Sequence, residues 1–450
     1  MPISPARVAA YEILLRMERE DSYSSELLHA PRYAKLSSAD HGLTTELVMG
    51  VLRWRSLLDA RIAAHSSQKL ARLDLEVLTA LRLATYQLIF LDRVPGRAAV
   101  NESAELIKRA RKRSAVPFVN AVLRKLAGEK AERPETRMAG DAAALAAASA
   151  HPLWLVDRWV QAFRLDQARR ICEYDQRAPV ASLRISDPAL ERDLQAEGIT
   201  LGPGLLLASA RRVISGDITQ TKSFRSGRVA IQDEASQLVA LLVGRGSHIL
   251  DCCAAPGGKT RVLAQQNPDA TIIAAELHPQ RARLLRKLVA ETNIHIIATD
   301  VRTLPLTARF DRVLVDVPCS GTGTLARNPE IKWRLRPREE NGGDLAELQR
   351  KQVEILQSAM QRVAPGGRLV YSTCSLEAEE NEQVIEKAMA TNNAFRLVNC
   401  REELERLRAE KEFIWPELDS LVSGPYLRTV PGVHPCDGFF AATLERTGPA

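Results

Sequence analysis

Apolar residues recur at helical spacing through the first quarter of the chain. Between residues 8 and 126 they return three and four positions apart, as in the series Leu75, Val77, Leu78, Leu81, Leu83, Tyr86 and Ile89. This is the periodicity of amphipathic helices, and no alternating strand pattern with turn residues interrupts it. The pattern predicts an all-α bundle over residues 1–130.

The pattern changes after the helical region. Residues 129–137 are rich in charge and contain Pro134, a combination that is typical of a break between elements. Residues 142–150 are dense in alanine, which favours helix. We therefore predict a connector over residues 131–150.

A new unit is expected to open at His151. An amphipathic stretch at residues 154–163 predicts a helix, and a short β-like run follows at residues 180–185. These signals predict a small α/β subdomain over residues 151–229.

Strand and helix patterns alternate over residues 230–447. Such alternation is typical of a parallel sheet whose strands are joined by crossover helices. The predicted strands lie at 248–251, 271–276, 295–299, 312–316 and 368–372, and the predicted helices at 261–266, 280–291 and 345–363. The pattern predicts a doubly wound, Rossmann-like α/β domain. Ligands of such domains bind beyond the carboxyl ends of the strands, so the residues after each strand are candidates for chemistry.

The composition agrees with a globular chain of several domains. The chain has 450 residues, 45% of them hydrophobic, and about 150 residues per domain gives about three domains. No stretch approaches the roughly 20 apolar residues that a membrane-spanning helix needs, and the N-terminus lacks an apolar signal core. Seven cysteines, an odd number, argue against a disulfide framework. We expect a cytoplasmic protein with free thiols and no membrane partner.

The net charge of +7 comes from the first third of the chain. Residues 1–130 contain 21 Lys and Arg against 14 Asp and Glu, whereas residues 131–450 contain 41 of each. Residues 108–125 hold seven basic side chains and no acid. Such a stripe suits a phosphate backbone because each contact releases condensed counterions, although a solvated helix face is the alternative. The candidate nucleic-acid-binding residues are Lys108, Arg109, Arg111, Lys112 and Arg113.

The first predicted strand of the sheet runs into a loop with two glycines. Residues 251–260 read D-C-C-A-A-P-G-G-K-T and precede a predicted helix. The glycines let the backbone approach a ligand closely, and a helix start offers unpaired N–H groups. The G-K-T ending is similar to a P-loop, but Cys253 stands where that motif requires glycine, and the dinucleotide fingerprint is also absent. The loop is a candidate cofactor site of another kind.

Carboxylates end the next two strands. Glu276 stands 25 positions after Asp251, where an acid can accept hydrogen bonds from the ribose hydroxyls of an adenosine. Asp300 is placed for the adenine or the rim of the pocket. Each acid alone is more often a surface carboxylate. Three consecutive strands that end in acids around a glycine loop predict an adenosine-containing ligand.

Two cysteines follow the last two predicted strands. Residues 316–323 read D-V-P-C-S-G-T-G and residues 372–375 read S-T-C-S, which brings Cys319 and Cys374 to one cleft. A single cysteine is usually buried and inert. As a pair beside an adenosine pocket they indicate thiolate chemistry, since a thiolate can add reversibly to an electron-poor ring. Spacing alone does not distinguish which thiol attacks.

The remaining cysteines and the histidines indicate no further chemistry. Cys172, Cys400 and Cys436 are expected to be packing residues, and Cys252 is expected to be buried beneath the loop. The chain has no C-x-x-C or H-E-x-x-H motif and its eight histidines are scattered, so we expect no metal site.

A basic segment with one aromatic residue lies between the two thiols. Residues 327–338 contain five basic side chains around Trp333. Such a loop can pair phosphates while the ring stacks on an unpaired base. The alternative is an ordinary surface loop with a half-buried tryptophan. The candidate RNA-binding residues of this segment are Arg327, Lys332, Trp333 and Arg334.

Taken together, the motifs resemble those of one known family. Residues 253–259 (C-A-A-P-G-G-K), 316–321 (D-V-P-C-S-G) and 373–375 (T-C-S) resemble the signature blocks of the Sun-family RNA (cytosine-5)-methyltransferases. Residues 232–236 (Q-D-E-A-S) and 437–441 (D-G-F-F-A) are similar to further blocks of that family. Agreement at five separated sites in the right order is a specific signal.

The N-terminal third resembles a second kind of domain. Residues 46–54 and 98–103 are similar to the NusB-like RNA-binding helical domain. This pairing of domains resembles that of the bacterial small-subunit ribosomal RNA methyltransferases of the Sun type, so the resemblance covers nearly the whole chain.

The resemblance implies S-adenosylmethionine as methyl donor and small-subunit (16S) ribosomal RNA as substrate. The positions that match the family's cofactor contacts are Cys253, Ala254, Ala255, Pro256, Gly257, Gly258, Lys259, Glu276, Asp300 and Asp316. Glu276 stands where the family more often has aspartate, and the longer side chain can still reach a ribose. The family's nucleophile maps onto Cys374 and its second cysteine onto Cys319.

The implied chemistry accounts for these residue types. C5 of cytosine is a poor nucleophile, but thiolate addition at C6 makes C5 an enamine carbon that can take a methyl group from a sulfonium. Asp316 would stabilise charge on the ring, and Cys319 would assist loss of the C5 proton before the thiol leaves. DNA cytosine methyltransferases use the Pro-Cys thiol, so the choice of Cys374 rests on the resemblance to the RNA family. The target base must leave any stack to react.

Two other functions are compatible with parts of the sequence. A non-catalytic RNA-binding or antitermination factor would use the NusB-like third and would not bind S-adenosylmethionine. A DNA cytosine methyltransferase would accept duplex DNA. The cofactor loop and the paired thiols favour the ribosomal RNA methyltransferase, which we expect to act as a monomer without a metal.

Overall fold

The structure is a computed structural model that describes residues 3–20, 22–129, 135–185, 187–289, 291–336 and 343–448. The chain divides into two compact units. The first consists of Met1–Ala178 together with Leu325–Arg334, and the second of Pro179–Thr324 together with Leu335–Ala450. The domain boundaries that composition predicts, at residues 130, 150 and 229, stay predictions.

The described residues of the first unit are helical, which confirms the predicted N-terminal bundle. Its first eight α-helices are α1 (Pro5–Arg19), α2 (Ser24–Leu28), α3 (Ser38–His65), α4 (Leu75–Phe90), α5 (Gly96–Arg109), α6 (Val116–Gly128), α7 (Ala142–Ser149) and α8 (Leu153–Asp175). Short 3-10 turns lie at Pro31–Tyr33, Leu70–Arg72, Arg113–Ala115 and Thr136–Met138. Helix α8 is interrupted at Arg164, where φ is 65°, immediately after the predicted amphipathic stretch.

Close helix packing forms the core of the bundle. Leu47 of α3, Leu81 of α4 and Leu106 of α5 are buried in it. A Cβ atom on Gly50 would lie 2.0 Å from the ring of Tyr86, so α3 and α4 approach at a distance that only glycine permits. The apolar stripes that predicted the helices are therefore the surfaces that pack together.

The second unit begins with a small antiparallel sheet, as the sequence predicts for this region. Its elements are β1 (Ser182–Arg184), α9 (Pro188–Ala196), β2 (Thr200–Pro203) and β3 (Ala210–Ser215), with strand order β1-β3-β2. A 3-10 turn (Ile218–Gln220) and the short helix α10 (Lys222–Arg225) lead to the larger sheet.

A nine-stranded mixed sheet forms the centre of the second unit. Its strands are β4 (His248–Asp251), β5 (Thr271–Glu276), β6 (Ile294–Ala298), β7 (Phe310–Asp316), β8 (Val363–Thr373), β9 (Phe395–Val398), β10 (Val422–Ser423), β11 (Tyr426–Thr429) and β12 (Phe439–Arg446). Strands β8-β7-β4-β5-β6 are parallel neighbours, and β12, which also pairs with β9 and β11, runs antiparallel to β8.

The antiparallel strands extend the parallel sheet that the sequence predicts. The sequence analysis predicted strands β4–β8 but none of β9–β12. Strand β12 is buried over nearly its whole length, so its apolar residues form a continuous run without alternation. Periodicity alone cannot assign such a run to a strand.

Helices cover both faces of this sheet, which confirms the doubly wound, Rossmann-like arrangement. They are α11 (Glu234–Leu242), α12 (Gly258–Gln266), α13 (Pro279–Leu288), α15 (Gly343–Met360), α16 (Glu382–Met389) and α17 (Cys400–Ala409), with 3-10 turns at Val301–Thr303, Thr322–Thr324 and Leu418–Leu421. Ile249 and Val370 belong to a core shared with α11, α12, α13 and α17, whereas Leu250 and Leu369 belong to one shared with α15 and α16. Successive residues of a strand thus face opposite helix layers.

In the described part of the chain, no helix is long and apolar enough to cross a membrane. The same residues contain no group of three or more His, Cys, Asp or Glu side chains that could hold a metal ion.

Candidate active site

A cavity of about 490 Å³ lies at the carboxyl ends of the five parallel strands. Every one of these strands contributes residues to its wall, as expected for a doubly wound sheet. They are Cys252, Cys253 and Ala255 after β4; Glu276, Leu277 and His278 at β5; Thr299 and Asp300 after β6; Asp316, Val317, Pro318 and Cys319 at β7; and Cys374 after β8. Helix α15 closes one side with Leu348, Lys351 and Ile355.

The shape of the loop after β4 depends on a glycine. Gly257 has a φ of +112° immediately before α12, a conformation that favours glycine. A Cβ atom at this position would also lie 2.4 Å from Leu285 Cδ1. Of the seven predicted cofactor residues in this loop, Cys253 and Ala255 line the cavity and the other five do not, within the described residues.

The two acids predicted to hold an adenosine both reach the cavity. Glu276 is buried and accepts a hydrogen bond from the backbone N–H of His278 at 3.0 Å. Asp300 pairs with Arg302, with 2.7 Å between Nη2 and Oδ2. That hydrogen bond lowers the pKa of Asp300, so its carboxylate is ionised and partly engaged at neutral pH.

An ion pair that the sequence analysis did not predict joins the cofactor loop to β7. Lys259 Nζ lies 2.8 Å from Asp316 Oδ2, and Ser372 Oγ donates to Asp316 Oδ1 at 2.7 Å. Burial alone would lower the pKa of Lys259, but the Asp316 carboxylate outweighs it and raises this pKa. Lys259 and Ser372 therefore hold both carboxylate oxygens of Asp316 in place. Burial raises the pKa of the neighbouring Asp251 to about 7.

The two candidate thiols are in direct contact. Cys319 Sγ and Cys374 Sγ are 3.0 Å apart, and the backbone N–H of Cys374 donates to Cys319 Sγ at 3.3 Å. The hydrogen bond with Cys374, and then burial, hold the pKa of Cys319 well above its usual range. These contacts therefore favour the protonated form of Cys319.

A buried carboxylate that the sequence analysis did not single out connects the loops that carry the thiols. Glu380 accepts hydrogen bonds from the backbone N–H of Ser320 (2.8 Å), from the Ser320 hydroxyl and from Gln352 Nε2 (2.9 Å). Ser320 Oγ in turn lies 3.1 Å from Ser375 Oγ. Burial raises the pKa of Glu380. The sequence signal for it is the acid-rich run at residues 377–382, directly after Cys374.

The segment between the two thiols belongs to the first unit, where it forms the short helix α14 (Ile331–Arg334). The Lys332 side chain is buried, and its Nζ donates to the carbonyl oxygens of Arg53 (3.0 Å) and Ala150 (3.3 Å). Trp333 Nε1 donates to the Leu52 carbonyl at 2.7 Å. The prediction that Lys332 pairs a phosphate is wrong, because the ammonium group is enclosed by protein.

The other predicted RNA-binding residues of this segment are less enclosed. Arg327 and Arg334 are half-buried, and Arg334 donates to the Ser22 carbonyl and lies over the Tyr23 ring at 5.1 Å. Residues 337 and 338 of the predicted loop lie outside the described residues. For Trp333, Arg327 and Arg334, binding to RNA stays a prediction.

The basic cluster of the first unit lies on its surface, at the end of α5 and in the turn that follows. Most of its side chains are exposed, and Lys112 is half-exposed. Three of the five form ion pairs at 2.7 to 3.3 Å: Lys108 with Glu105, Arg109 with Glu12 and Lys112 with Asp74. Exposed pairs of this kind contribute little free energy, so a phosphate can compete for these cations.

The sequence blocks at residues 232–236 and 437–441 contact each other and do not line the cavity. Asp233 accepts hydrogen bonds from the backbone N–H of Ala235 (2.9 Å), where it caps α11, and from that of Asp437 (3.2 Å). Glu234 is buried and accepts a hydrogen bond from the backbone N–H of Leu206 at 2.7 Å. These residues join chain segments that support the sheet.

Fold and cavity together define a class of protein, the S-adenosylmethionine-dependent methyltransferases. The family model described as 16S rRNA methyltransferase RsmB/F matches residues 239–445, and that of the NusB family matches residues 4–128. The probable ribosomal RNA small subunit methyltransferase B of Bacillus subtilis (strain 168) is 32% identical over 100% of both chains. The chain belongs to the 16S rRNA methyltransferase RsmB/F family.

Further relatives agree with this membership. The ribosomal RNA small subunit methyltransferase B of Salmonella typhi is 32% identical over 84% of this chain and 88% of its own. Among solved structures, that of PH0851 superposes with a TM-score of 0.79 and covers 99% of this chain and 100% of its own. Its sequence is 23% identical, so this likeness concerns the fold.

Proposed function

We propose that this enzyme methylates C5 of a cytosine in 16S ribosomal RNA through a covalent bond between Cys374 and C6 of the base. The observation that carries the proposal is the contact of two thiols in the cavity, 3.0 Å apart. Methyl transfer to an oxygen, or to an exocyclic nitrogen that has its own lone pair, needs no nucleophilic thiol. Transfer to a carbon such as C5 of cytosine does, because that atom must first be activated.

The cavity residues fit S-adenosylmethionine. Its volume of about 490 Å³ lies within the range of small-molecule sites. Cys253, Ala255, Glu276 and Asp300 would hold the cofactor, with Glu276 accepting from the ribose hydroxyls. When bound, the cofactor supplies the methyl group from its sulfonium.

Cys374 is the proposed nucleophile. The thiolate of Cys374 would form a bond to C6, and the pair of electrons of the C5–C6 double bond would move towards the ring carbonyl and N3. The raised pKa of Cys319 disfavours that thiol as the nucleophile, because the attacking species is the thiolate. The match of Cys374 to the nucleophile of the Sun-family enzymes supports the choice of Cys374 independently.

Asp316 and Cys319 have supporting roles in this proposal. Asp316, held by Lys259 and Ser372, would accept a hydrogen bond from the exocyclic amine of the base and so orient the ring for attack at C6. In its thiolate form Cys319 would accept the C5 proton after methyl transfer and become a thiol. The C5–C6 double bond then re-forms and the Cys374 thiolate leaves.

The test is the Cys374→Ser variant. We expect it to abolish transfer of labelled methyl groups to 16S ribosomal RNA, because a hydroxyl is too weakly acidic to provide the nucleophile at neutral pH. The affinity for S-adenosylmethionine, measured by calorimetry, should be retained. Cys400→Ser is the matched control, since Cys400 is a buried thiol of the same unit outside the cavity, and it should remain active.

Bisulfite sequencing of the product RNA then identifies the modified atom. Wild-type activity in Cys374→Ser would contradict the covalent mechanism. A methylated product that bisulfite converts like ordinary cytosine would contradict the C5 assignment.

A further inference from the structure

Helix α13 presents a basic surface within a part of the chain that is neutral overall. Residues 277–289 contain four basic side chains and no acid, although residues 131–450 are neutral overall. All four are exposed, and so are two leucines of the same helix, at 47% for Leu284 and 42% for Leu288. We call these six residues the α13 surface: Arg281, Arg283, Leu284, Arg286, Lys287 and Leu288.

In the part of the chain that the structure describes, three of the four cations of the α13 surface have no carboxylate partner, whereas Arg281 lies 3.8 Å from Glu276. In the described residues, no carboxylate forms an ion pair with Arg283, Arg286 or Lys287. Helix α17 has the same length and also carries three arginines, but Arg401 pairs with Glu405 (3.4 Å) and Arg406 pairs with glutamates at 2.8 and 3.0 Å. Arg283, Arg286 and Lys287 are therefore available to a partner, whereas two of the three arginines of α17 are compensated by carboxylates and Arg408 donates to the Trp415 carbonyl.

The α13 surface begins at the cavity and continues beyond the end of the helix. Arg281 lines the cavity and donates to the Ala255 carbonyl at 3.2 Å. At the other end, a Cβ atom on Gly227 would lie 3.6 Å from the Leu288 carbonyl oxygen, so a second segment borders the helix. That segment contains the exposed Arg225 and Arg228, although Arg228 pairs with Asp193. The path from the cavity along α13 is thus positive.

We infer that the α13 surface binds the phosphate backbone of the RNA substrate outside the cavity. This inference rests on the proposed function, since it takes RNA as the substrate. A run of unpaired cations at the mouth of an RNA-modifying cavity is complementary to a polyanion, and each phosphate contact releases counterions. The exposed leucines can pack against ribose or unstacked bases. The second unit therefore holds RNA itself, in addition to the basic cluster of the first unit.

The test uses the full chain carrying Arg283→Gln, Arg286→Gln and Lys287→Gln together. None of the three lines the cavity, so affinity for S-adenosylmethionine should stay unchanged and reports correct folding. The dissociation constant for 16S ribosomal RNA is measured over a series of KCl concentrations. We expect the slope of log K against log salt to fall by about 2, from three lost contacts at about 0.7 each, and the affinity at low salt to fall about tenfold.

The matched control is the triple variant Arg401→Gln, Arg406→Gln and Arg408→Gln in α17. It removes the same net charge from an equally long helix, and its slope should equal that of the wild type. An unchanged slope in the α13 variant would overturn the inference, and so would an equal loss in the control. Binding to phosphatidylglycerol vesicles that is lost in the α13 variant while RNA binding is kept would assign the surface to a membrane instead.

These outcomes are separate from those of the proposed function. RNA affinity is measured without catalysis, so it tests the α13 surface even if the wild-type enzyme methylates an atom other than C5.

Discussion

The sulfur atoms of Cys319 and Cys374 are 3.0 Å apart, and this distance allows a proton to pass between them. The hydrogen bond and burial together favour the protonated form of Cys319. In the proposed mechanism Cys374 adds to C6 and Cys319 assists loss of the C5 proton, so this contact brings the two proposed tasks to one point of the cavity. Sequence spacing predicted one cleft for both thiols but could not assign these separate tasks.

Cys319→Ala should accumulate a covalent protein–RNA adduct. Without the second thiol, loss of the C5 proton is slowed while addition of Cys374 to C6 is kept, so the thioether persists. The measurement is a denaturing gel of the variant after incubation with labelled 16S ribosomal RNA and S-adenosylmethionine. The double variant Cys319→Ala, Cys374→Ser should form no adduct. A gel without adduct, together with normal release of methylated RNA, would contradict the role proposed for Cys319.

At the scale of single elements, helix α14 departs most from the prediction. Its sequence is basic and aromatic, which is typical of an RNA-binding loop, yet Lys332 is buried among protein groups. Glu330, just before the helix, is also buried and accepts hydrogen bonds from the backbone N–H (2.8 Å) and hydroxyl (3.0 Å) of Ser24. The polar side chains of this segment form hydrogen bonds with backbone groups of the first unit that are buried and need partners.

Burial lowers the pKa of Lys332 to about 7, which predicts a pH-dependent stability of the first unit. In the unfolded chain the lysine pKa is about 10.4, so between pH 7 and 10 the unfolded state binds more protons than the folded state. The free energy of unfolding should therefore rise with pH across this window and should fall again as the pH is lowered towards 7. In Lys332→Met this rise should be absent.

Urea unfolding at pH 7, 8 and 9 measures this effect. Tryptophan fluorescence reports mainly on the first unit, which contains four of the five tryptophans. Among the groups that face Lys332, burial lowers the pKa of His151 well below its usual range, and Arg53 stays charged. Burial raises the pKa of Cys172 to about 12, so this thiol opposes the rise above about pH 8, but it is present in both proteins and cancels in the difference between wild type and Lys332→Met. Parallel pH profiles for wild type and Lys332→Met would contradict the prediction.

For the whole molecule, the distribution of charge separates binding from chemistry. The excess of +7 lies in residues 1–130, whereas residues 131–450, which contain the cavity and both thiols, are neutral overall apart from local concentrations such as the α13 surface. Long-range attraction by a basic unit raises the rate and strength of association with a polyanion without changing the reacting groups. The basic cluster should therefore affect KM rather than kcat.

Replacement of Arg109, Arg111 and Arg113 by glutamine should raise KM for 16S ribosomal RNA several-fold and leave kcat unchanged. The physical reason is that these exposed side chains contact phosphates and not the target base. Steady-state kinetics at several salt concentrations measure the effect, which should shrink at high salt because the contacts are then screened. Lys69, Arg72 and Arg93, exposed cations of the same unit outside the cluster, provide the matched triple variant. An equal rise of KM in both would show that the position of the charge is irrelevant.

The sequence by itself determined the features that depend on short-range pattern. Apolar periodicity predicted the N-terminal bundle, and the predicted strands 248–251 and 271–276 coincide with β4 and β5. Topology then brought residues after each parallel strand to one cavity, because the carboxyl ends of such strands lie at one edge of the sheet. Family motifs added the cofactor and the substrate class.

Only the tertiary structure decided which distant groups meet and which surfaces remain open. It paired Lys259 with Asp316, enclosed Lys332, added the antiparallel strands to the sheet and left three cations of α13 without a carboxylate partner in the described residues. Each of these outcomes depends on contacts between segments that are far apart in the chain. Residue type and spacing describe the local chain, whereas burial and ion pairing depend on which remote segment packs against it.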